Sequence, residues 1–313
     1  MCILMATRAH PDYELILISN RDEFLARKTH ATCWHNDDFI LSPYDLAKTS
    51  KEKQIFGTWS GINKEGKLAT ILNLKLDGQR DTIKSKSRGL LPFTFLSTHK
   101  ADFQNWDNYD KFEMNYDGLN TTGDFNFFYG DVIEKQYKLI DSLGRTFNVL
   151  DSTCKSNLNS YMAVSNGEFY NSPSISEQAW KKVKVARDGL EKLVLGNIES
   201  DEETIISNCF QLASKSSLPG TASKPNALQM LADPNVIMNT IYVPPLRRPP
   251  DDDLGASIPD GDYYGTRSQI VLLVSKNSSK VTFIERVLYS SDEDVNHYSV
   301  ATPKEEKRFE FKL

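Results

Sequence analysis

The residues best suited to chemistry lie within the first two dozen positions of the chain. Cys2 follows Met1 directly, and the thiolate of a cysteine can act as a nucleophile. A polar and charged cluster, Asn20–Glu23, follows about one hairpin later. Nearby guanidinium and carboxylate groups shift the pKa of a thiol and can hold a substrate in place. Chemistry here requires the fold to bring these two stretches together.

Two apolar runs of strand length, Ile3–Ala6 and Tyr13–Ile18, can do this. Both are too short for helices, and the residues between them include the proline and aspartate typical of a turn. If the turn centres near position 10 or 11, antiparallel pairing places Cys2 opposite Ser19 or Asn20. The hairpin is therefore predicted to hold the thiol beside the charged cluster. The alternative is a salt-bridged strand end that only braces the fold.

Strands also predominate in the rest of the chain. We predict strands at residues 54–63, 68–74, 125–132, 136–140, 147–150, 161–164, 269–274 and 281–286, with an edge strand at 308–313. Helices are predicted at residues 90–96 and 203–213, and from Ser174 onward, where Ser174 and Glu177 form a capping box. Residues 25–43 are predicted as a polar loop and residues 214–262 as a long, mobile one. This pattern predicts an α+β layered fold.

Composition limits the class of protein. The chain has 313 residues, enough for one large domain or two ordinary ones. With 39% hydrophobic and 25% charged residues, it is expected to be soluble and globular. The net charge of −5 gives no overall basic field, so we expect no nucleic-acid partner. A membrane helix needs about 18–20 apolar residues in a row. The apolar runs are far shorter, and we expect no transmembrane segment.

Cysteine usage and the N-terminal residues bear on location. The four cysteines are widely spaced and form no CxxC, which favours reduced thiols in the cytosol over a disulfide framework. The first 30 residues carry four acidic side chains and no apolar signal region. Both features argue against a transit or signal peptide, and we expect a cytoplasmic protein.

Other motifs are weak. Gly57–Gly61 is not a nucleophile elbow, because its serine is one position late. Cys33–His35 could contact haem, but a surface loop is the preferred interpretation. Lys84, Lys86 and Arg88 could meet phosphates, or could form a solvated loop. The histidines show no metal-binding spacing, and no metal site is expected.

Motifs along the chain resemble those of the NRDE family, also called the transport and Golgi organisation protein 2 family. The name-giving motif is Asn20-Arg21-Asp22-Glu23-Phe24. The other matching blocks are Met1-Cys2-Ile3, Gly57-Thr58-Trp59, Gly61-Ile62, Gly66–Ala69, Asn73, Ser87–Leu90, Ser165-Asn166, Tyr264–Arg267 and Val281–Arg286. They span nearly the whole chain, apart from residues 100–125 and 215–262.

The family is similar in turn to N-terminal-nucleophile hydrolases, most of all to the penicillin V acylase and bile-salt hydrolase branch. This resemblance implies an αββα sandwich, in which two antiparallel sheets lie face to face with helices outside. It also implies that residues 1–313 form a single domain.

The resemblance implies a site centred on Cys2. Removal of Met1 would expose the Cys2 α-amine, whose pKa near roughly 8 suits it to deprotonate the thiol. The implied catalytic residues are the nucleophile Cys2, Asp22 to orient the amine, Asn73 and Asn166 at the oxyanion and orienting positions, and Arg267. The implied ligand-binding residues are Asn20, Arg21, Glu23, Trp59 and Arg88. Either Arg21 or Arg267 would hold the thiolate or a substrate carboxylate.

The order of these residues departs from the hydrolase branch. That branch has an arginine three places before the aspartate, whereas Ser19 fills that place here and Arg21 directly precedes Asp22. The electrostatic surroundings of the thiol are therefore expected to differ from those of the hydrolases.

Family members are linked to Golgi organisation and secretion, to haem mobilisation, and to lipid and acyl-CoA homeostasis. We therefore expect a protein that binds a small amphiphilic ligand, haem or acyl-CoA, near Cys2 and requires no cofactor. The alternative is an N-terminal-cysteine amidohydrolase or thioesterase with Cys2 as nucleophile. The same resemblance implies association with the Golgi or mitochondria and peripheral membrane contact. The oligomeric state stays open.

Overall fold

The computed structural model of the chain describes residues 1–75, 86–97, 103–116, 121–151, 157–170, 178–218, 234–247, 263–290, 299–300 and 306–313. The strands are β1 Ile3–Thr7, β2 Tyr13–Phe24, β3 Thr29–His35, β4 Ile40–Asp45, β5 Thr49–Ser50, β6 Ile55–Phe56, β7 Ser60–Asn63, β8 Lys67–Asn73, β9 Phe125–Asp131, β10 Gln136–Asp141, β11 Thr146–Asn148, β12 Tyr161–Ser165, β13 Leu246–Arg247, β14 Tyr263–Ser275, β15 Lys280–Val287, β16 Tyr289–Ser290, β17 Ser299–Val300 and β18 Glu306–Lys312. The helices are α1 Leu90–Ser97, α2 Tyr109–Asn115, α3 Asn157–Ser160, α4 Lys181–Gly196, α5 Glu202–Ala213 and α6 Pro234–Met238.

The strands form two large antiparallel sheets. Sheet A has the strand order β12-β1-β2-β14-β15-β18, and β13 adds to β14. Sheet B has the order β11-β10-β9-β8-β7-β4-β3. The N-terminal hairpin β1–β2 therefore lies inside sheet A, flanked by β12 on one side and by β14 on the other. Sheet A is held together by pairings between distant parts of the chain.

Helices cover the outer face of each sheet. On sheet A, α4 and α5 bury an apolar face against β1, β2 and β14, in a core that includes Ile18, Val183 and Ile206. On sheet B, α1 and α2 pack on β8 and β9, in an aromatic core that includes Phe95 and Phe112. Each helix pair thus shields one face of one sheet from water.

A third core lies between the two sheets. Leu17 and Leu272 from sheet A meet Leu72 and Phe128 from sheet B in this cluster. Alternate residues of β2 belong to different cores, because successive strand side chains point to opposite faces. The order of layers is therefore helices, sheet A, sheet B, helices, and the predicted αββα sandwich is confirmed.

Most predicted elements are present. The 308–313 edge strand is confirmed as β18 at the edge of sheet A, and the helices at 90–96 and 203–213 are confirmed as α1 and α5. A tight turn joins β7 to β8. Gly66 there has a φ of 82°, a conformation that glycine adopts without strain.

The predicted polar loop at 25–43 is wrong, because β3 and β4 occupy most of it. The preferred surface-loop interpretation of Cys33–His35 is wrong for the same reason, and His35 is buried. β3 is the edge strand of sheet B, so several of its side chains reach solvent and its apolar alternation is weak. Pro43 inside β4 also obscures the strand pattern, since proline is unusual in strand interiors.

Three further boundaries differ from prediction. The strand expected at 54–63 is divided into β6 and β7 by residues 57–59. Helix α4 begins at Lys181, whereas the capping box of Ser174 and Glu177 lies outside the described residues. Within the predicted 214–262 loop, α6 and β13 are regular, and residues 219–233 and 248–262 lie outside the description.

Candidate functional site

The pairing of β1 places Cys2 between two predicted site residues. Ile3 pairs with Asn20 on β2 and with Ser165 on β12. Cys2 directly precedes β1, so the same register places it opposite Arg21 on one side and Asn166 on the other. The predicted partner of Cys2, Ser19 or Asn20, is wrong by one or two residues, because the turn centres later than position 10 or 11.

Strand alternation divides the hairpin end into two faces. Residues Ile3, Met5, Ile16 and Ile18 face helices α4 and α5, whereas Leu4, Ala6, Leu15 and Leu17 face sheet B. By the same alternation, Cys2 and Arg21 face the space between the sheets, and Asp22 faces the helices. The thiol and the Asp22 carboxylate therefore lie on opposite faces of sheet A.

The Cys2 thiol contacts the peptide groups of Asp22. The Asp22 backbone N–H donates to Sγ over 3.3 Å, and Sγ lies 3.6 Å from the Asp22 carbonyl oxygen. Ser165 Oγ donates to the Cys2 carbonyl over 2.6 Å and fixes the backbone there. Burial raises the pKa of the Cys2 thiol, which opposes formation of the thiolate.

The Asp22 carboxylate forms the centre of a buried ionic cluster on the helix side. Its Oδ2 lies 3.3 Å from the Met1 amine and 3.7 Å from Lys182 Nζ, and its Oδ1 accepts from Thr266 Oγ1 over 2.7 Å. Lys182 Nζ also donates to the Met1 carbonyl over 2.5 Å. Burial lowers the pKa of both the Met1 amine and Lys182, and Asp22 opposes both shifts.

A β-bulge in β14 brings a second strand into this cluster. Thr266 pairs with Asp22 and Ser268 pairs with Arg21, so that Arg267 is the extra residue. Without that extra residue, the alternation of β14 would turn the Thr266 hydroxyl away from Asp22. The Tyr264 hydroxyl contacts the Met1 amine, and burial raises the pKa of Tyr264 well above its ordinary value.

Arg21 and Trp59 form a stacked pair between the sheets. The guanidinium carbon lies 4.2 Å from the centroid of the indole ring, and Nη2 lies 3.3 Å from Glu23 Oε2. Arg21 is 7% exposed. Arg21 Nη1 and Trp59 Nε1 are both buried without a hydrogen-bond partner among the described residues. The guanidinium and the indole thus each keep one buried N–H without an acceptor among the described residues.

Glu285 is a second buried acid between the sheets. Its Oε2 accepts from the backbone N–H and the hydroxyl of Thr32, over 2.7 Å and 2.8 Å. Burial raises the pKa of Glu285, and the hydrogen bonds of Thr32 and the charge of Arg21 oppose that shift. The Glu285 carboxylate thus links β15 of sheet A to β3, the edge strand of sheet B.

Two of the predicted ligand-binding residues, Asn20 and Arg88, donate hydrogen bonds to backbone carbonyls. Asn20 is fully buried on the helix side, where Nδ2 donates to the carbonyls of Ala213 and Ile241 over 2.8 Å and 3.0 Å. It holds the end of α5 against sheet A. Arg88 donates from Nη1 to the Asp124 carbonyl over 3.0 Å. Neither contact is with Cys2.

The two predicted oxyanion asparagines are placed differently. Asn166 is buried, and its Oδ1 has no hydrogen-bond partner within the described part of the chain. It follows Ser165 directly and so lies next to the Cys2 register position. Asn73 is exposed at the end of β8, on the opposite face from Leu72 of the intersheet core. Only Asn166 is brought toward the thiol.

Arg267 braces the chain beyond β2. Its guanidinium donates to the Leu25 carbonyl, and Nη2 lies 3.3 Å from Thr29 Oγ1. These contacts join the bulge of β14 to the start of β3. A role for Arg267 at the thiol stays a prediction.

Lys182, Thr266 and Glu285 belong to the site but were not predicted. The sequence pattern could have identified Lys182, because it shares the face of α4 that carries the buried Ala186 and Leu190. A lysine on an apolar helix face requires a buried partner. Thr266 depends on the bulge, which the sequence does not reveal.

Neither a metal centre nor a membrane span is found where the chain is described. Within those residues, no group of three or more His, Cys, Asp or Glu side chains is arranged to hold a metal ion. No helix in the described ranges has the length and hydropathy to cross a bilayer.

The chain is similar to known proteins over most or all of its length. An uncharacterized protein of Saccharomyces cerevisiae is 82% identical over 313 residues, which cover 100% of both chains. The human Transport and Golgi organization protein 2 homolog is 27% identical over 296 residues, covering 93% of this chain and 91% of the human one. Penicillin V acylase from Agrobacterium tumefaciens aligns structurally over 90% of this chain and 82% of its own, at 9% identity and a TM-score of 0.46.

The family model described as Transport and Golgi organisation 2 matches residues 1–290. That range contains Cys2, the Asn20–Glu23 cluster and every residue of the site described above. This chain belongs to the Transport and Golgi organisation 2 family.

Proposed function

We propose that the protein binds a small amphiphilic anion, an acyl-CoA, with a charged group of the ligand at Arg21 and its thioester near Cys2. The observation that carries this proposal is the buried Arg21 guanidinium, whose Nη1 has no hydrogen-bond partner among the described residues. A buried guanidinium with a spare donor favours a phosphate or carboxylate, which match its planar geometry. Trp59 supports the guanidinium from one face and adds its own unpaired N–H.

Acyl-CoA is favoured over haem by the state of the thiol. A cysteine binds haem iron as the thiolate. Burial raises the pKa of Cys2, so the thiol form predominates near neutral pH. Binding of a thioester next to Cys2 does not require the thiol to be deprotonated. Haem nevertheless remains an arm of the test.

Isothermal titration of the full-length chain with palmitoyl-CoA and with haem tests this proposal. We expect palmitoyl-CoA to bind below about 10 µM, and the Arg21→Met variant to bind at least about tenfold more weakly. Arg308→Met serves as the control, because Arg308 lies on edge strand β18 with an ion pair to Glu203 over 2.6 Å. If neither ligand binds below about 10 µM, or if Arg21→Met binds as wild type does, the proposal is wrong.

We infer the cellular role from the same ligand class. A protein that binds acyl-CoA fits a place in lipid homeostasis and in the secretory functions for which the family is named. Haem trafficking would be the corresponding role if the haem arm of the titration succeeds. We propose a cytoplasmic protein associated with Golgi or mitochondrial surfaces, which imaging of a fluorescent fusion in cells with both organelles marked would test.

A specific observation also favours an amidohydrolase or thioesterase as a second candidate. The α-amine of Met1 lies 3.3 Å from Asp22 Oδ2, so the site already binds an N-terminal ammonium. With Met1 removed, the new α-amine would belong to Cys2 and could take the thiol proton. The thiolate would attack the carbonyl carbon, the leaving thiol or amine would depart with a proton, and water would hydrolyse the acyl-enzyme.

Intact-mass spectrometry of the purified protein tests this second candidate first. Retained Met1 makes the nitrogen of Cys2 a peptide amide, which cannot act as a base, and that result would exclude the mechanism. If the mass shows that Met1 is absent, Cys2→Ser is expected to abolish turnover of acyl-amide or acyl-CoA substrates. Turnover by Cys2→Ser at the wild-type rate would contradict it.

A further inference from the structure

A cavity of about 270 Å³ lies at the edge of sheet A, beside β12 and the first turns of α4. Its lining includes Ser165 from the end of β12, Phe169 from the loop that follows, and Trp180, Val183 and Arg187 from α4 and the residue before it. This volume is just under the range of about 300–1,000 Å³ that is typical of ligand pockets. The cavity suits a molecule smaller than an acyl-CoA.

The cavity wall contains a partly desolvated cation, Arg187. Arg187 is partly buried, and its Nε is buried with no hydrogen-bond partner in the described ranges. Burial lowers the pKa of the Arg187 guanidinium, while the neighbouring Asp188 opposes that shift. An unpaired buried donor on a charged group is costly, and an anion in the cavity would relieve that cost.

The other charges on the cavity wall favour an anion as well. Lys75 contributes a second cation. Glu168 also lines the cavity, but its carboxylate accepts from Arg145 Nη1 over 2.8 Å and is thereby neutralised. The wall therefore has an excess of positive charge.

Aromatic side chains form the apolar part of the wall. A methyl group on Gly167 would meet the Trp180 indole at 3.0 Å, so the glycine lets the loop lie flat against that ring. Phe169 also lines the cavity and is buried as part of the intersheet core. A flat or short apolar group can pack between such surfaces.

This cavity is separate from the thiol site. Neither Cys2 nor Arg21 lines the cavity, although Phe169 of its wall belongs to the intersheet core on which Cys2 packs. Ser165 links the two places, because its hydroxyl donates to the Cys2 carbonyl over 2.6 Å and its residue lines the cavity.

We propose that this cavity is a second ligand site, which binds a small carboxylate with an aromatic or short aliphatic body. The carboxylate pairs with the Arg187 guanidinium, with Lys75 nearby, and the apolar body packs against Trp180 and Phe169. The site goes beyond the acyl-CoA proposal and does not depend on it.

The test is a titration of the uniformly ¹⁵N-labelled full-length chain, followed by NMR through the Trp180 indole N–H, which Trp180→Phe assigns. The probes are phenylacetate, octanoate and the neutral phenylacetamide. We expect saturable shifts with a carboxylate and at least about tenfold weaker binding of the amide. Arg187→Gln is expected to weaken carboxylate binding to a similar extent. Lys181→Gln on the same helix, exposed and not part of the wall, is the matched control.

Each alternative outcome would overturn the proposal. The cavity is not a ligand site if neither carboxylate shifts the Trp180 signal up to about 10 mM. Anion recognition is wrong if phenylacetamide binds as well as phenylacetate, a comparison that needs no variant. Equal weakening by Arg21→Met would show that the two sites are not separate. Failure of palmitoyl-CoA to bind at Arg21 leaves these expectations unchanged.

Discussion

At the scale of residues, Asp22 makes contacts on both faces of sheet A. Its peptide group contacts the Cys2 thiol on the intersheet face, and its carboxylate holds the Met1 amine and Lys182 on the helix face. Cys2 and the Asn20–Glu23 cluster were identifiable from their residue types and from hairpin spacing. Which residues share a face was not, because a one-residue error in register reverses the side chains.

Removal of the Arg21 charge is expected to make the Cys2 thiol less reactive. The positive charge of Arg21 lowers the pKa of Cys2, against the larger effect of burial, so Arg21→Met raises that pKa further. Alkylation by iodoacetamide at pH 8 should slow by about threefold to tenfold, since one pKa unit changes the thiolate fraction about tenfold. Peptide mass spectrometry measures the rate at Cys2. Arg308→Met should not change it, and an equal or faster rate in Arg21→Met would contradict this explanation.

At the scale of elements, helix α4 inserts a lysine into the end of a strand hairpin. Lys182 is fully buried and contacts both the Met1 carbonyl and the Asp22 carboxylate. The amphipathic pattern predicts the helix, and the lysine on its apolar face indicates a buried partner. The identity of that partner depends on how α4 crosses sheet A, which local sequence does not specify. The missed strand β3 has a similar explanation, because an edge strand needs no strict apolar alternation.

Replacement of Lys182 should therefore destabilise the fold. Lys182→Met leaves the buried Asp22 carboxylate without one of its cations, and removal of one partner from a buried pair costs about 3–5 kcal/mol. Chemical denaturation monitored by circular dichroism gives the free energy of unfolding. Lys181→Met, one residue away and exposed, should change it by less than about 0.5 kcal/mol.

A double variant separates the ion pair from simple loss of packing. If the charge of Asp22 is the cause, Lys182→Met combined with Asp22→Asn should lose less stability than the sum of the two single variants. Strictly additive losses would show that the two side chains do not depend on each other.

At the scale of the whole molecule, the layer between the sheets combines an apolar core with buried charged side chains, Arg21 and Glu285. Alternating patterns predicted the strands and an α+β fold, and the family resemblance implied the αββα layers. They could not show which strands share a sheet, because β2 and β14 pair across most of the chain length. The contact between Glu285 and Thr32 is likewise long-range and joins the two sheets. The predicted single domain over residues 1–313 stays a prediction.

Neutralisation of Glu285 should stabilise the protein at high pH. Its folded pKa is raised above the ordinary value near 4.5, so its favourable contribution is fully present below that pH and is lost as pH rises through the folded pKa. Glu285→Gln keeps an acceptor for Thr32 without the charge. Its Tm should exceed that of wild type at pH 8, and the difference should shrink as the pH falls towards 4.5. A difference that is constant with pH would contradict a buried ionised Glu285.

Protection of Cys2 from alkylation by bound ligand tests most directly whether the ligand binds between the sheets at Arg21 and Cys2. The rate of Cys2 alkylation is measured by peptide mass spectrometry with and without palmitoyl-CoA, with the partly buried Cys33 on β3 as internal reference. At about ten times its Kd, the ligand should slow alkylation of Cys2 by about tenfold and leave Cys33 unchanged. Alkylation of Cys2 at an unchanged rate, while calorimetry shows the ligand bound, would place the ligand elsewhere and contradict the proposed site.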